Sequence, residues 1–278
     1  MFKLSLCAAA AAVAVALIAV GGAVGRGTAS SIVVATTLSA ADEVPAPTGA
    51  VSNASGSFSA TLVRSGAGAS MNWRLTFTGL TGNAIAAHVH TGPRGEAGPV
   101  SVPLCGPCES PATGTANVDA AVLAALATNR AYVNVHTPTN RGGEIRGQLR
   151  SVATARSALN AGQEVPRPRG AARARGTFTV TATKAGSSAT VRWQLTFARL
   201  TGRALAAHIH LGARGRAGRV VVPLCGPCRS GVRGTATVRG AVLAALESGR
   251  AYVNVHTRRN PAGEIRGQVP ALALTLTS

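Results

Sequence analysis

Two long stretches of this chain are versions of one another. LTGNAIAAHVH, ending at His90, returns as LTGRALAAHIH, ending at His210. VPLCGPC, AVLAAL, RAYVNVHT and GEIRGQ recur unchanged. Trp73 matches Trp193 and Phe58 matches Phe178, at an offset of 120 residues that becomes 121 at Glu43 and Glu164. Repetition at this length means one fold made twice. The predicted organisation is a leader over residues 1–29, one unit over 30–150, a second over 151–271, and a C-terminal tail over 272–278. Little chain is left for a linker near Arg150, so the units are expected to sit close together. Each is near the size at which a single core sustains itself.

Hydrophobicity inside a unit has a period of two. In SMNWRLTFTGL, Met71, Trp73, Leu75 and Phe77 point one way, and Asn72, Arg74, Thr76 and Thr78 the other. That is a half-buried strand. Such strands recur between Gly-, Pro- and Ser-rich turns, which predicts an all-β antiparallel sandwich or barrel. One short helix is expected per unit, over Asp119–Ala127 with Asp119 as its cap, and over Gly240–Glu247. Aromatics are only 3% of the chain while hydrophobics are 46%. The core must therefore be built from Val, Ala, Leu and Ile.

The leader reads as a targeting segment. Lys3 is followed by an apolar or small-residue run from Leu4 to Val24, and Gly27-Thr28-Ala29 offers a small-x-small cleavage site. Localisation outside the cytosol, secreted or in the cell envelope, follows as an expectation. Membrane attachment is expected only if this segment stays uncleaved.

All six histidines fall in the repeated phrases. By strand alternation His88 and His90 share a face, with Ala87 and Val89 behind. Tyr132, Asn134 and His136 share a face, as do Glu144, Arg146 and Gln148. If these strands are neighbours, one patch gathers His88, His90, His136, Asn134, Glu144 and Arg146. Its copy gathers His208, His210, His256, Asn254, Glu264 and Arg266. Three imidazoles could hold copper or zinc with an open position. The alternative is a metal-free hydrogen-bonded network that pins strand register.

Cys105/Cys108 and Cys225/Cys228 form two Cys-Gly-Pro-Cys pairs. A thiol-redox motif of this type opens a helix. Here ESPATGTANV follows, with Pro, Gly and Thr where a helix should start. Local disulfides within each pair are favoured over redox chemistry or a shared four-cysteine zinc site, and an exported protein allows them.

Charge divides the copies. The first has seven Arg against six acidic residues; the second has eighteen Arg plus Lys184 against three. A balance of +16 draws polyanions. Nucleic acid is not expected, because stacking aromatics are scarce. Anionic envelope polymers, or another exported protein, are the partners expected for the basic second unit.

EVP at 43–45 and 164–166, AAHVH and AAHIH, VSVPL and VVVPL, YVNVHT and GEIRGQ together resemble the chordin-type (CHRD) domain, twice over. The resemblance implies two tandem immunoglobulin-like, Greek-key β-sandwiches distantly similar to copper–zinc superoxide dismutase, without a general activity. The dismutase likeness rests on His-x-His and stops there. Three histidines per unit cannot hold two metals, so a dismutase site is not expected, although a single metal remains compatible. Chordin's growth-factor binding does not carry over. The leading expectation is an exported, non-enzymatic binding or scaffold protein; the second is a copper- or zinc-binding protein.

Overall fold

The computed structural model describes residues 31–276; the leader expected over 1–29 lies outside them. The first unit has eight strands: β1 Ser31–Ser39, β2 Ser55–Ser65, β3 Gly68–Thr78, β4 Ala86–Thr91, β5 Val100–Cys105, β6 Ala112–Val118, β7 Ala131–His136 and β8 Ile145–Gln148. Helix α1, Ala120–Ala127, lies between β6 and β7. The second unit repeats them as β9 Arg150–Asn160, β10 Arg175–Ala185, β11 Ser188–Ala198, β12 Ala204–Leu211, β13 Val220–Cys225, β14 Val232–Arg239, α2 Gly240–Glu247, β15 Ala251–Thr257 and β16 Ile265–Val269.

Each unit is two four-stranded antiparallel sheets packed face to face. In the first the orders are β6-β3-β2-β1 and β5-β4-β7-β8. The chain crosses between sheets after β3, β5 and β6, so β3 pairs with β6 and β4 with β7. These are the Greek-key connections of a β-sandwich. One bridge, Ser39 to Arg146, closes an edge between the two sheets.

Alternation in the sequence becomes the core directly. Met71, Trp73 and Leu75 of β3 are 2%, 6% and 0% exposed. They pack with Phe58 and Leu62 of β2 and, from the facing sheet, Val89, Val133, Val135 and Ile145. Burying one such aliphatic side chain contributes ~1.5–3 kcal/mol. Asp119 caps α1, its Oδ1 accepting from Val122 N–H at 2.8 Å. At the equivalent end of α2 stands Arg239, which makes no side-chain cap. Among the described residues no helix is long and apolar enough to cross a membrane.

The units are joined more closely than adjacency requires. Val33–Ala35 of β1 pair antiparallel with Arg150–Val152 of β9. Since β9 is the second copy of β1, this pairing relates the units by an approximate two-fold and runs one sheet of each into the other. Beyond β16, Leu272 N–H donates to Leu246 O at 3.0 Å. Leu272 and Leu274 enter the second core, while Leu276 packs against the first.

Candidate functional site

The sheet β5-β4-β7-β8 turns Val89, Val102, Val133, Val135 and Ile145 inward and its polar residues outward. Register sets those polar residues in rows. His90 on β4 faces Tyr132 on β7, which faces Gln148 on β8. His88 faces Asn134, which faces Arg146. His136 comes next along β7, opposite Ala86. This outer face is nonetheless buried: Tyr132, Asn134, Arg146 and His90 are 2%, 2%, 1% and 7% exposed. Two loops cover it, residues 92–99 after β4 and residues 40–54 after β1.

Loop 92–99 is held by the polar side chains beneath it. Arg146 donates to the carbonyls of Glu96 and Pro93, each at 2.8 Å. Gln148 donates to Gly92 O at 3.0 Å. Gly98 N–H donates to the Tyr132 hydroxyl at 3.0 Å, and Gly98 O accepts from His90 Nδ1 at 2.9 Å. Only glycine fits there, because a Cβ would collide with the backbone carbonyl of Thr91. The Tyr132 ring lies against two partners. His90 stacks on it at 4.9 Å between centroids, and Arg146 Cζ sits 3.4 Å from its centroid.

The three histidines converge. One ring nitrogen from each of His88, His90 and His136 lies within 4.8 Å of the others. His136 Nδ1 bonds the Arg141 carbonyl at 2.9 Å. A carbonyl only accepts, so Nδ1 carries the proton in His90 and in His136, and each Nε2 is left unprotonated, with its lone pair free to accept or to ligate. His90 Nε2 is buried with no partner. His136 Nε2 faces His88 Nδ1 at 3.1 Å. Burial first, then its neighbours His136 and His90, holds His88 down to about 4. Burial likewise lowers His90 and His136. The rings are therefore neutral at neutral pH, the form that binds metals.

These donors fit one ion of copper or zinc. Bonds of ~2 Å at tetrahedral or trigonal angles set ligand nitrogens ~3.3–3.5 Å apart, so an ion would draw the three rings together by up to ~1.5 Å. His88 has the freedom to do this, since no carbonyl anchors it and its hydrogen bond goes only to His136.

The second unit repeats this geometry. His208 Nδ1 faces His256 Nε2 at 3.1 Å; His210 bonds Gly218 O and His256 bonds Pro261 O, both at 2.9 Å. His208, His210 and His256 offer nitrogens within 4.8 Å. Arg266 Cζ lies 3.4 Å from the Tyr252 centroid, and Asn254 is 1% exposed beside it in register.

Glu144 and Glu264 stand apart from the imidazoles, and neither pairs with the arginine two residues on. Glu144 is fully buried, accepting from Thr81 N–H at 2.7 Å, Thr137 Oγ1 at 2.6 Å and Asn140 Nδ2 at 2.9 Å. Burial alone would raise its pKa; the hydrogen bonds from Thr137, Thr81 and Asn140 outweigh that and hold it below the ordinary value. Thr201, Thr257 and Asn260 do the same for Glu264. These carboxylates pin loops.

A different carboxylate reaches the polar layer. Glu43, 5% exposed, enters from loop 40–54 and contacts the site of Gly143, where a Cβ would strike both Glu43 and Asn134. Burial pushes the Glu43 carboxyl up to about 7, against the pull of the Val44 N–H and of Arg146. Glu164 is raised for the same reason. The signal for Glu43 in sequence was its repetition in EVP.

Both Cys-Gly-Pro-Cys pairs are closed as disulfides, Cys105–Cys108 and Cys225–Cys228, with Cα atoms 5.3 and 5.2 Å apart. A strand follows each, β6 and β14, where a redox motif would have a helix. Cys108 N–H also bonds Ala84 O at 3.0 Å, tying the loop to the chain entering β4.

The family model described as CHRD domain matches residues 34–149 and again 155–269. No curated protein matches the chain significantly. The two matches span both sandwiches and both histidine clusters, and the chain belongs to the CHRD domain family, carrying two of its domains in tandem.

Proposed function

We propose that this is an exported, non-catalytic protein whose two domains each bind one copper or zinc ion, through His88, His90 and His136 and through His208, His210 and His256. One observation carries the reading: three neutral imidazoles converge within 4.8 Å, and backbone carbonyls hold two of them with Nε2 unprotonated. A network built only to pin register would use that nitrogen, yet His90 Nε2 and His210 Nε2 are both buried without partners. Copper and zinc both favour imidazole nitrogen. A binding role fits better than catalysis, because the hydrogen bonds of the six rings go to carbonyls or to one another and none goes to a carboxylate. Export is supported by the disulfides and the leader sequence.

The test is metal content. The purified full chain, loaded with excess Cu(II) or Zn(II) and desalted, should retain two equivalents. His90→Ala should retain one, and His90→Ala with His210→Ala none. Retention below about a tenth of an equivalent per domain would overturn the reading, since a preformed three-imidazole site binds tightly.

A further inference from the structure

The two domains share a fold and a histidine cluster but not a surface, and one groove of the second domain is lined by arginines where the first has none. This groove, of about 660 Å³, lies in the second domain and is lined by Arg203, Pro227, Cys228, Arg229 and Val232. Its walls are fixed by the backbone. Cys228 N–H bonds Ala204 O at 3.1 Å, setting Arg203, just before Ala204, beside Arg229, just after Cys228. The Cys225–Cys228 disulfide closes the loop behind them. Phe197 N–H donates to Ser230 Oγ at 2.8 Å, tying the end of β11, which leads to Arg203, onto the same loop.

Neither guanidinium has a partner among the described residues. Among the described residues the ion pairs are Arg94–Asp42 and Lys184–Glu247, and Arg203 and Arg229 make no hydrogen bond. The fold does not require these arginines, because the first domain has Asn83 and Glu109 in their places. A third arginine, Arg199, stands at φ 58° where the first domain has Gly79 at 68°. Left-handed backbone costs a non-glycine residue ~1–2 kcal/mol. The second domain thus carries a long cation where the first spares itself that cost.

We propose that this groove binds the phosphoryl groups of an anionic polymer, at a site separate from the histidine clusters. Two guanidinium forks lining one cleft match tetrahedral phosphate oxygens better than single ammonium charges would. A polymer fits better than an isolated anion because the balance of +16 over the whole domain draws extended anions toward the groove. Tryptophan, tyrosine and phenylalanine are too few to stack bases, so recognition falls on the phosphoryl groups.

Long-chain inorganic polyphosphate is the probe, titrated calorimetrically into the oxidised full chain at physiological salt. Arg203→Asn with Arg229→Glu, the residues of the first domain, should weaken binding at least tenfold. Arg156→Gln with Arg192→Glu removes the same charge from the outer face of the second domain's sheet and should stay within threefold of wild type. Arg203→Lys with Arg229→Lys keeps the charge but not the forks, and should weaken binding at least threefold with an unchanged thermal midpoint. Asn83→Arg with Glu109→Arg should add a second binding site. Equal losses in the two charge-matched pairs would mean diffuse attraction and overturn the proposal. So would polyglutamate binding as tightly as polyphosphate.

Discussion

Arg146 lies flat on Tyr132, its Cζ 3.4 Å from the ring centroid, as one of the largest fully buried side chains in the protein. Among the described residues no carboxylate pairs with it directly. Its charge is met by the carbonyls of Pro93 and Glu96, by Gln148 Oε1, and by the ring face. A buried cation stacked on an aromatic ring and forked to two carbonyls is a role that guanidinium fills and ammonium does not. Arg146→Lys should destabilise the first domain by roughly 2–3 kcal/mol, the cost of charge-assisted hydrogen bonds lost in a dry site. It should also raise hydrogen exchange at the Gly98 amide, because the loop over the site is fastened through this side chain. Unchanged protection at Gly98 would show that the loop holds itself.

Glu43 gives a pH signature of definite sign. Its folded pKa, about 7, stands above its unfolded value near 4.5. Between those values the folded state holds a proton that the unfolded chain has released, so this group's contribution to stability falls as pH rises. The contribution is complete below pH 4.5 and lost through pH 7. His88, lowered to about 4, works the other way, its contribution being lost as pH falls from 6.5 toward 4. The wild-type curve sums both, so the test is a difference. Glu43→Gln keeps Oε1 as acceptor for Val44 N–H and cannot ionise. Its stability relative to wild type, measured by denaturant titration, should climb by up to ~3 kcal/mol between pH 4.5 and 7.5. A flat difference would mean that Glu43 titrates normally.

What was legible in the sequence was the faces of the strands. Period two placed Val89, Val133, Val135 and Ile145 in the core and His88, His90, Asn134, His136 and Arg146 on the opposite surface, and repetition placed the same pattern twice. Alternation specifies a face, but not what covers it. The polar layer is closed by loops 92–99 and 40–54, whose positions depend on contacts across the sheet and carry no periodicity. Repetition of EVP marked Glu43, but not its place in the polar layer, for that reason. Glu144 and Arg146, two residues apart, look like a pair in sequence; in three dimensions each is drawn to a different loop. The seam between β1 and β9 was equally unreadable, because any edge strand could have paired there.

The helix caps offer a comparison within one molecule. Asp119 Oδ1 accepts from Val122 N–H, while Arg239 leaves α2 without a side-chain cap. Asp119→Ala should cost about 1 kcal/mol. Arg239→Ala should cost close to nothing. Paired unfolding curves decide the point, and equal losses would show that the Asp119 hydrogen bond contributes nothing net.

The C-terminal segment bears on how the two domains unfold. Leu272 and Leu274 are each 2% exposed in the second core, and Leu276 packs against the first. Lys184 Nζ meets Glu247 Oε1 at 2.7 Å, and Thr275 Oγ1 bonds to both side chains. A cleft lined by Ile32, Leu123 and Leu126 from one domain and Leu274 and Leu276 from the C-terminus lies at the seam. Truncation after Ala271 removes two buried leucines, worth ~1.5–3 kcal/mol each, from the second domain and one partial contact from the first. The second domain should therefore lose several kcal/mol and the first much less. One cooperative transition in the full chain should separate into two in the truncated one, resolved by scanning calorimetry. A single transition shifted as a whole would mean that the β1–β9 pairing alone couples the domains, with the C-terminal segment adding only to their common stability.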